Sequence, residues 1–573
     1  MNRNNIVLIF LLGVMPVIST CKRDFLDIRP AGGLDQFILA NEKGINALLI
    51  GAYSMLDGVS ASGYFGFETA SSNWLYGSIS GMEANKGSDS GDSWDGNPFL
   101  RYTVTPDNWL LYAKWREVYE AISRCNSVIL VTNQAIEEGT VSQTIAEPFL
   151  RQAKALRGWY HFEAWRMWEK IPYVDETTDP ATVTNKKDVR ANILADIMEG
   201  TTLPDNMGAV GRFNGTVCKV LLAKAMMQMN HNYEGALPML QDAKNGTKPD
   251  GSPIGLAPTY GEIFDIVNRN GMEAVYTVQY SVNDGSGGWN GGYGEVLNFP
   301  YKTGGSPAGC CGFFCPTQEF VNSFRTSGGL PLLDFSYNSD PVKSDQAVAV
   351  TADFVPDAGP LDPRLDWSVG RRGIPYWDWG KHTGADWIRD QTYSGPYSPK
   401  KQVYKKSQEG QYTEVGNWTS GWTANGYRMI RYADLLLLIA ECQIETNDLE
   451  GALENINAVR RRAENPDGFV MDGAVPAANY QISEYPSFPD QTYARNALRM
   501  ERKLELGQEG HRYFDLNRWK ITVTELNRAI NYEKTMPWGT ILYGSAVVGP
   551  EDVTYPIPQR QIDLSNGKLV QNR

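Results

Sequence analysis

Arg499-Met-Glu-Arg-Lys-Leu-Glu-Leu-Gly-Gln-Glu-Gly-His-Arg-Tyr-Phe-Asp-Leu-Asn-Arg-Trp519 is the stretch that decides the reading of this chain. Extended back to Ala494, it has the pattern of an amphipathic helix. Ala494, Ala497, Leu498, Glu501, Leu504 and Glu505 recur at spacings of three and four and share one stripe. The stripe starts apolar and then takes in two carboxylates. A buried carboxylate is costly unless it is paired and hydrogen-bonded. Arg499, Arg502, Arg512 and Arg518 are the pairing partners nearest in sequence, and Gly510 marks a stop or turn after Glu509. Two readings of Glu501 and Glu505 follow: partners in buried ion pairs, or an acid and base for catalysis.

The block resembles the C-terminal signature of the SusD/RagB family. Those proteins are outer-membrane lipoproteins of Bacteroidetes-type bacteria that capture glycans for a TonB-dependent transporter. The helical pattern does not itself specify a glycan, so that implication rests on the resemblance and on what the rest of the chain supplies.

The chain has 573 residues, with 42% hydrophobic and 21% charged, which suits a globular protein of several domains or one large composite one. Its formal net charge of −13 argues against nucleic acid, whose phosphates require clustered cations. The longest basic run is Arg460-Arg461-Arg462. Trp and Tyr are abundant, at 16 and 29, and several stand in glycine-rich loops. An aromatic in a loop has less core to fill than one on a helix.

Residues 1–20 read as a signal peptide. Met1-Asn-Arg-Asn-Asn precedes an apolar run from Ile6 to Ile18 that is short for a membrane span. Ser19-Thr20 then lead into Cys21 in the manner of a lipoprotein cleavage box, which would make Cys21 the lipidated N-terminus. Cys21-Lys-Arg-Asp-Phe-Leu-Asp-Ile-Arg-Pro30 resembles the family's mature start. The resemblance implies a protein anchored to the outer membrane and facing outward. Cys125, Cys218 and Cys442 lie in helical patterns as buried thiols. Cys310, Cys311 and Cys315 cluster without a nearby histidine, so a metal site is disfavoured and a Cys310–Cys315 or Cys311–Cys315 disulfide is the alternative.

Organisation follows from a hidden repeat. Leu222-Ala-Lys-Ala-Met-Met-Gln-Met-Asn-His-Asn-Tyr-Glu-Gly-Ala-Leu237 parallels Ile439-Ala-Glu-Cys-Gln-Ile-Glu-Thr-Asn-Asp-Leu-Glu-Gly-Ala-Leu453. Each reads as a helix, a short Asn-containing turn and a second helix, the form of a tetratricopeptide unit. Helical patterns also run over Gly44–Leu56, Lys114–Asn133, Phe149–Trp168 and Val189–Glu199. From Asn245 to Gly426 helical periodicity is lost, and Gly, Pro, Trp and Tyr rise. The expected division is signal 1–20, a helical region 21–244, a loop-rich ligand-binding region 245–426 and a helical region 427–573 that completes the hairpin stack. Tyr555-Pro-Ile-Pro-Gln and Val570-Gln-Asn resemble the family's closing segment.

Catalytic signatures are absent from the sequence. His161, His231, His382 and His511 form no metal-ligand pair, and no phosphate loop, dinucleotide fingerprint or nucleophile elbow occurs. A sugar ring presents C–H groups that stack on the face of Trp or Tyr while Asn, Asp, Arg or Lys read its hydroxyls. Two stretches suit that chemistry. In Ser72–Asp89, Trp74 and Tyr76 stand among Asn73, Asn85, Lys86 and Asp89, and this resembles the family loop bordering the ligand site. In Asn283–Gly294, Trp289 and Tyr293 are set among glycines. For each, a core anchor is the competing reading. Trp377, Trp379 and Trp387 form a third candidate whose density also suits a structural cluster. Asp89, Asp92 and Asp95 lack EF-hand spacing and read as a solvated acidic loop.

The expected protein is mostly α, with tetratricopeptide-like hairpins packed against an irregular loop-rich subdomain. The resemblance implies a non-catalytic lipoprotein without cofactor or metal. Its glycan ligand would be read at Asn73, Trp74, Tyr76, Asp89, Trp289 and Tyr293 and delivered to a SusC-like TonB-dependent transporter. The alternatives are a secreted glycoside hydrolase and a protein-binding scaffold.

Overall fold

The computed structural model describes residues 39–59, 66–301, 305–416 and 419–573. Cys21 and the signal segment lie outside the described residues. Among the described residues, long helices dominate the first and last parts, and six two-stranded ribbons are scattered between the helices.

The N-terminal helices are α1 (Glu42–Ser54), α2 (Trp109–Glu137), α3 (Gln143–Trp168) and α4 (Arg190–Glu199). They coincide with the four sequence patterns, although α2 runs beyond Lys114–Asn133 at both ends and α3 begins at Gln143 rather than Phe149. Local chemistry explains the starts. Asn41 and Asn108 cap α1 and α2, each side-chain oxygen accepting a first-turn N–H at 3.1 and 3.0 Å. Along α2, Leu111, Val118, Ile122, Cys125 and Ile129 are buried against α3. Arg157 of α3 is buried too, and it grips both carboxylate oxygens of Asp196 on α4 at 2.7 and 2.8 Å.

The repeat becomes two hairpins. The first is α5 (Gly215–Asn230) with α6 (Tyr233–Lys244); the second is α7 (Tyr432–Glu445) with α8 (Leu449–Glu464). Their turns are built alike. His231 and Asn447 adopt left-handed backbone, at φ 50° and 66°. The following Asn232 and Asp448 then cap the second helices by accepting from Gly235 and Gly451, both at 2.9 Å. Although far apart in sequence, α6 packs on α7, so the stack is assembled discontinuously. Lys224 of α5 meets Asp434 of α7 at 3.0 Å.

The opening block forms α9 (Gln491–Leu506) and α10 (Arg512–Arg518), followed by α11 (Thr522–Glu533). The helix stops at Gly507, three residues before the glycine expected to end it. Gly510 instead serves close approach. Its φ is +81°, and a Cβ there would lie 1.7 Å from the carbonyl of Ser72. Its N–H donates to Ser78 Oγ at 2.9 Å. The turn thereby clamps the Trp74 segment, a single π-helical turn over Trp74–Ile79.

The largest core cluster draws from Ala40 through Leu569 and takes side chains from all three expected regions. A second cluster fills the space among α7, α8 and α9. A third, with Phe299, Tyr376, Trp387 and Tyr404, lies beneath the loops.

Candidate functional site

The acids of α9 are not available for chemistry. Glu501 and Glu505 are fully buried. Arg364 donates to Glu501 at 2.5 Å and to Glu505 at 3.1 Å, and Arg460 completes Glu501 at 2.8 Å. Arg431 bonds Glu505 at 2.9 Å, and Arg462 bonds it as well. Glu509 takes Arg431 and Lys401 at 2.7 and 2.8 Å. Burial alone would raise the Glu505 carboxyl, but the guanidiniums of Arg462, Arg431 and Arg364 outweigh it and hold it well below the usual carboxylate range. The sequence-local arginines are engaged elsewhere. Arg502 pairs with Asp434 and Asp515, Arg512 with Glu525, and Arg518 with Glu441. The ion-pair reading therefore holds, with partners drawn from other segments. Three histidines are likewise structural: burial pushes His161 and His382 down to about 3 and His511 to about 4.

The two expected aromatic stretches do meet, but not side by side on a surface. Trp74 is 3% exposed, packs on Phe314 at 5.7 Å and donates its Nε1–H to the carbonyl of Gly294 at 3.0 Å. Tyr76 is buried and its hydroxyl is bonded to the carbonyls of Glu68 and Leu110. Asn73 is buried and bonds Glu163 at 3.1 Å. With their faces and polar atoms so covered, Trp74, Tyr76 and Asn73 are core anchors rather than contact residues. The tight π-turn, closed by Gly510, turns them inward.

Trp289 is the member of the set that reaches solvent, at 48% exposed. Tyr293 is buried beneath it, centroid to centroid 5.2 Å. Trp422 meets Tyr293 at 4.8 Å and Trp289 edge-on at 6.1 Å. Tyr293 is thus corrected from contact residue to base. Gly288 permits this arrangement: its φ is +89°, and a Cβ would lie 2.0 Å from the Trp422 ring. The loop is held by Asn283 N–H to Glu414 at 2.8 Å, Asn290 to Asp284 at 2.8 Å and Gly292 N–H to the Thr423 carbonyl at 2.8 Å. An apolar face with an amide and acid rim is therefore presented on a braced support.

Trp94, 66% exposed, is the second outward-facing tryptophan among the described residues. Sequence reading passed over it because Asp-Ser-Trp-Asp-Gly was weighed only as an acidic loop; its neighbouring glycines carry the same signal as those of Trp289. That loop is organised around a lysine. Lys86 is buried, and its ammonium donates to the carbonyls of Gly87, Asp89 and Asp92 at 3.2, 2.8 and 2.5 Å. Burial lowers it to about 8 despite the opposing pull of Asp92 and Asp89. Asp89 is partly exposed and pairs with Arg389 at 2.9 Å. Arg389 also bonds Ser88 and Asp92 and lies over Tyr301 at 5.3 Å.

The third group divides. Trp387 is buried against Tyr376 and His382. Trp377 is half-buried on Trp367, and Trp379 is half-buried with its indole bonded to the Tyr404 carbonyl at 2.9 Å. These form the structural cluster that was the competing expectation. The cysteine expectation is also corrected: Cys310 and Cys311 are disulfide-bonded to each other, and Cys315 is a buried free thiol. The strand that carries Cys315 pairs with Ala84–Gly87, placing its thiol toward the Gly312 carbonyl instead.

Comparison with known proteins points one way. Residues 272–573 match the model described as the SusD family. SusD-like protein P25 of Formosa agariphila is 22% identical over 469 residues, covering 79% of this chain and 76% of that protein. A SusD superfamily protein from Bacteroides vulgatus superposes with a TM-score of 0.66 at 18% identity, over 93% of this chain and 99% of its own. Surface glycan-binding protein A from Bacteroides thetaiotaomicron, solved in complex with laminarihexaose, superposes at 0.63 with 20% identity and covers 93% and 99% of the two chains.

Proposed function

The chain belongs to the SusD family, and on that premise we propose that it is a cell-surface glycan-binding lipoprotein. It captures oligosaccharides and hands them to a SusC-like TonB-dependent transporter. Cys21 carries the lipid that holds it to the outer membrane, facing outward. It acts without chemistry, by holding ligand close to the transporter.

The observation that carries this reading is Trp289: a half-exposed indole on a glycine loop, supported by Tyr293 and Trp422. A flat, rigid aromatic loses little conformational entropy on stacking, so it suits capture of a sugar face. Asn283, Asp284 and Asn290 supply hydroxyl readers nearby, and Trp94, with Asp89 and Arg389 in its own loop, is a second exposed indole of the same chemistry. The relative solved with laminarihexaose makes β-glucan the first ligand to try.

Affinity electrophoresis on a glycan panel that includes laminarin is the test. A confirmed ligand should be retarded by the wild type and lose roughly 10- to 100-fold in affinity with Trp289→Ala. Unchanged binding in a Trp94→Ala, Trp289→Ala double variant would sink the site. Release of new reducing ends from the bound glycan would instead favour a hydrolase.

A further inference from the structure

The opening block contains one guanidinium that the buried ion-pair network leaves out. Along α9, Arg495 pairs with Glu445, Arg502 with Asp434 and Asp515, and Lys503 with Glu319. Arg499, in the same helix, has no carboxylate within ion-pair distance among the described residues. Its guanidinium lies over the ring of Trp519, 5.5 Å from the centroid. The acids that act on it most, Glu441 and Glu445, are committed to Arg518 and Arg495. Partial burial and the neighbouring Arg495 disfavour the charge there, so Arg499 is a cation short of a partner.

Arg499 lines a cavity of about 100 Å³. Lys503 and Arg512 share its charged wall with Glu525, which Arg512 pairs at 3.0 Å, and Leu333, Phe335 and Met500 form the apolar one. Phe335 is 37% exposed, and Arg528 is stacked on it at 3.9 Å. Around this recess Lys503, Arg512 and Arg528 are paired with Glu319 and Glu525, and Glu441 and Glu445 with Arg518 and Arg495, which leaves Arg499, among the described residues here, as the unpaired cation. A local excess of positive charge in a chain of net −13 is a focused field for an anion. A guanidinium offers a planar fork that fits a carboxylate, and the aromatic and aliphatic wall suits methylene groups.

We propose that the recess formed by Arg499, Lys503, Arg512 and Phe335 binds a carboxylate borne on a short apolar stem. A free short-chain acid and the C-terminal carboxyl of an apolar peptide share that chemistry. The site is independent of the Trp289 loop.

Titration calorimetry on the full protein tests it with butyrate, with the neutral isostere butyramide, and with a tripeptide ending in leucine as acid or amide. Saturable one-to-one binding of a carboxylate form, absent for its amide, is expected. Arg499→Gln should weaken it about tenfold or more, through loss of a charge-assisted pair. Because Arg499 anchors no ion pair, the variant should keep the wild-type melting temperature; Phe335→Ala, which leaves every charge in place, gives a second readout and should also weaken binding. A peptide acid that outcompetes butyrate identifies a protein terminus, and the reverse order a free acid. Equal behaviour of acids and amides, no binding by either acid, or an Arg499→Gln affinity equal to wild type would overturn the proposal.

Discussion

The indole N–H of Trp74 and the main-chain carbonyl of Gly294 are hydrogen-bonded at 3.0 Å across 220 residues of sequence. This bond ties the buried π-turn at 74–79 to the end of the glycine loop that presents Trp289. Trp74 thus supports the Trp289 loop, the proposed ligand face, without being part of its exposed surface.

Variants at the two tryptophans should therefore separate stability from binding. Trp74→Ala should cost about 3–5 kcal/mol of stability by denaturant titration, as expected for a large buried aromatic. Trp289→Ala should leave the midpoint within about 0.5 kcal/mol and still abolish most glycan retention. A Trp74→Ala protein with unchanged stability would contradict its burial.

The Glu501 and Glu505 carboxylates should behave as structure. Glu505→Gln leaves Arg431 and Arg462 without part of their counter-charge. A loss of about 3–5 kcal/mol is expected on chemical denaturation, the usual effect of breaking a buried pair from one side. A neutral result would mean that solvent reaches the network.

Glu68 should give stability a pH slope. It is buried, neither carboxylate oxygen meets a donor on another of the described residues, and burial raises it from 4.5 to about 8. The unfolded chain releases this proton near pH 4.5, whereas the folded chain keeps it until about 8. Between those values the folded state binds more protons, so stability falls as pH rises and levels off above 8. Glu68→Gln should flatten that fall without removing it, since Glu117 and Glu295 are raised to about 7 for the same reason. Denaturant midpoints across this range, for wild type and variant, make the comparison. An identical slope in both would rule Glu68 out as a source.

Lys86 should govern the order of the Trp94 loop. Lys86→Met removes the ammonium on which three carbonyls converge. Hydrogen exchange over residues 87–97 should accelerate, with a global cost of about 1–3 kcal/mol for the unsatisfied acceptors. Trp94→Ala, an exposed side chain, should change neither. Unaltered protection of the loop in Lys86→Met would show that Arg389 alone suffices.

Much of the helical side was legible before any coordinates. The helical pattern of α2, the Asn-containing turns of the repeat and its Glu-Gly-Ala-Leu starts are governed by contacts within a few residues. Their spacing alone therefore locates them. The block at 499–519 disclosed that Glu501 and Glu505 share the buried stripe, with ion pairing as one of two readings. It could not disclose with whom: Arg364, Arg431, Arg460 and Arg462 arrive from other segments, and the nearer arginines turn to Asp434, Asp515, Glu441 and Glu525.

The candidate site divides along the same line. Composition marked aromatics set among glycines; of those, Trp289 is exposed, and the same mark stands, unread, at the exposed Trp94. Nothing local distinguishes Trp289 from Trp74. Each is a tryptophan among small and polar residues, and only the approach of Gly510 and Gly294 closes one while Trp422 and Tyr293 hold the other open. Helix, cap and repeat depend on neighbours in the chain, so the sequence by itself determined them. Which faces are covered depends on surfaces brought together from hundreds of residues away, and that was decided by the tertiary structure alone.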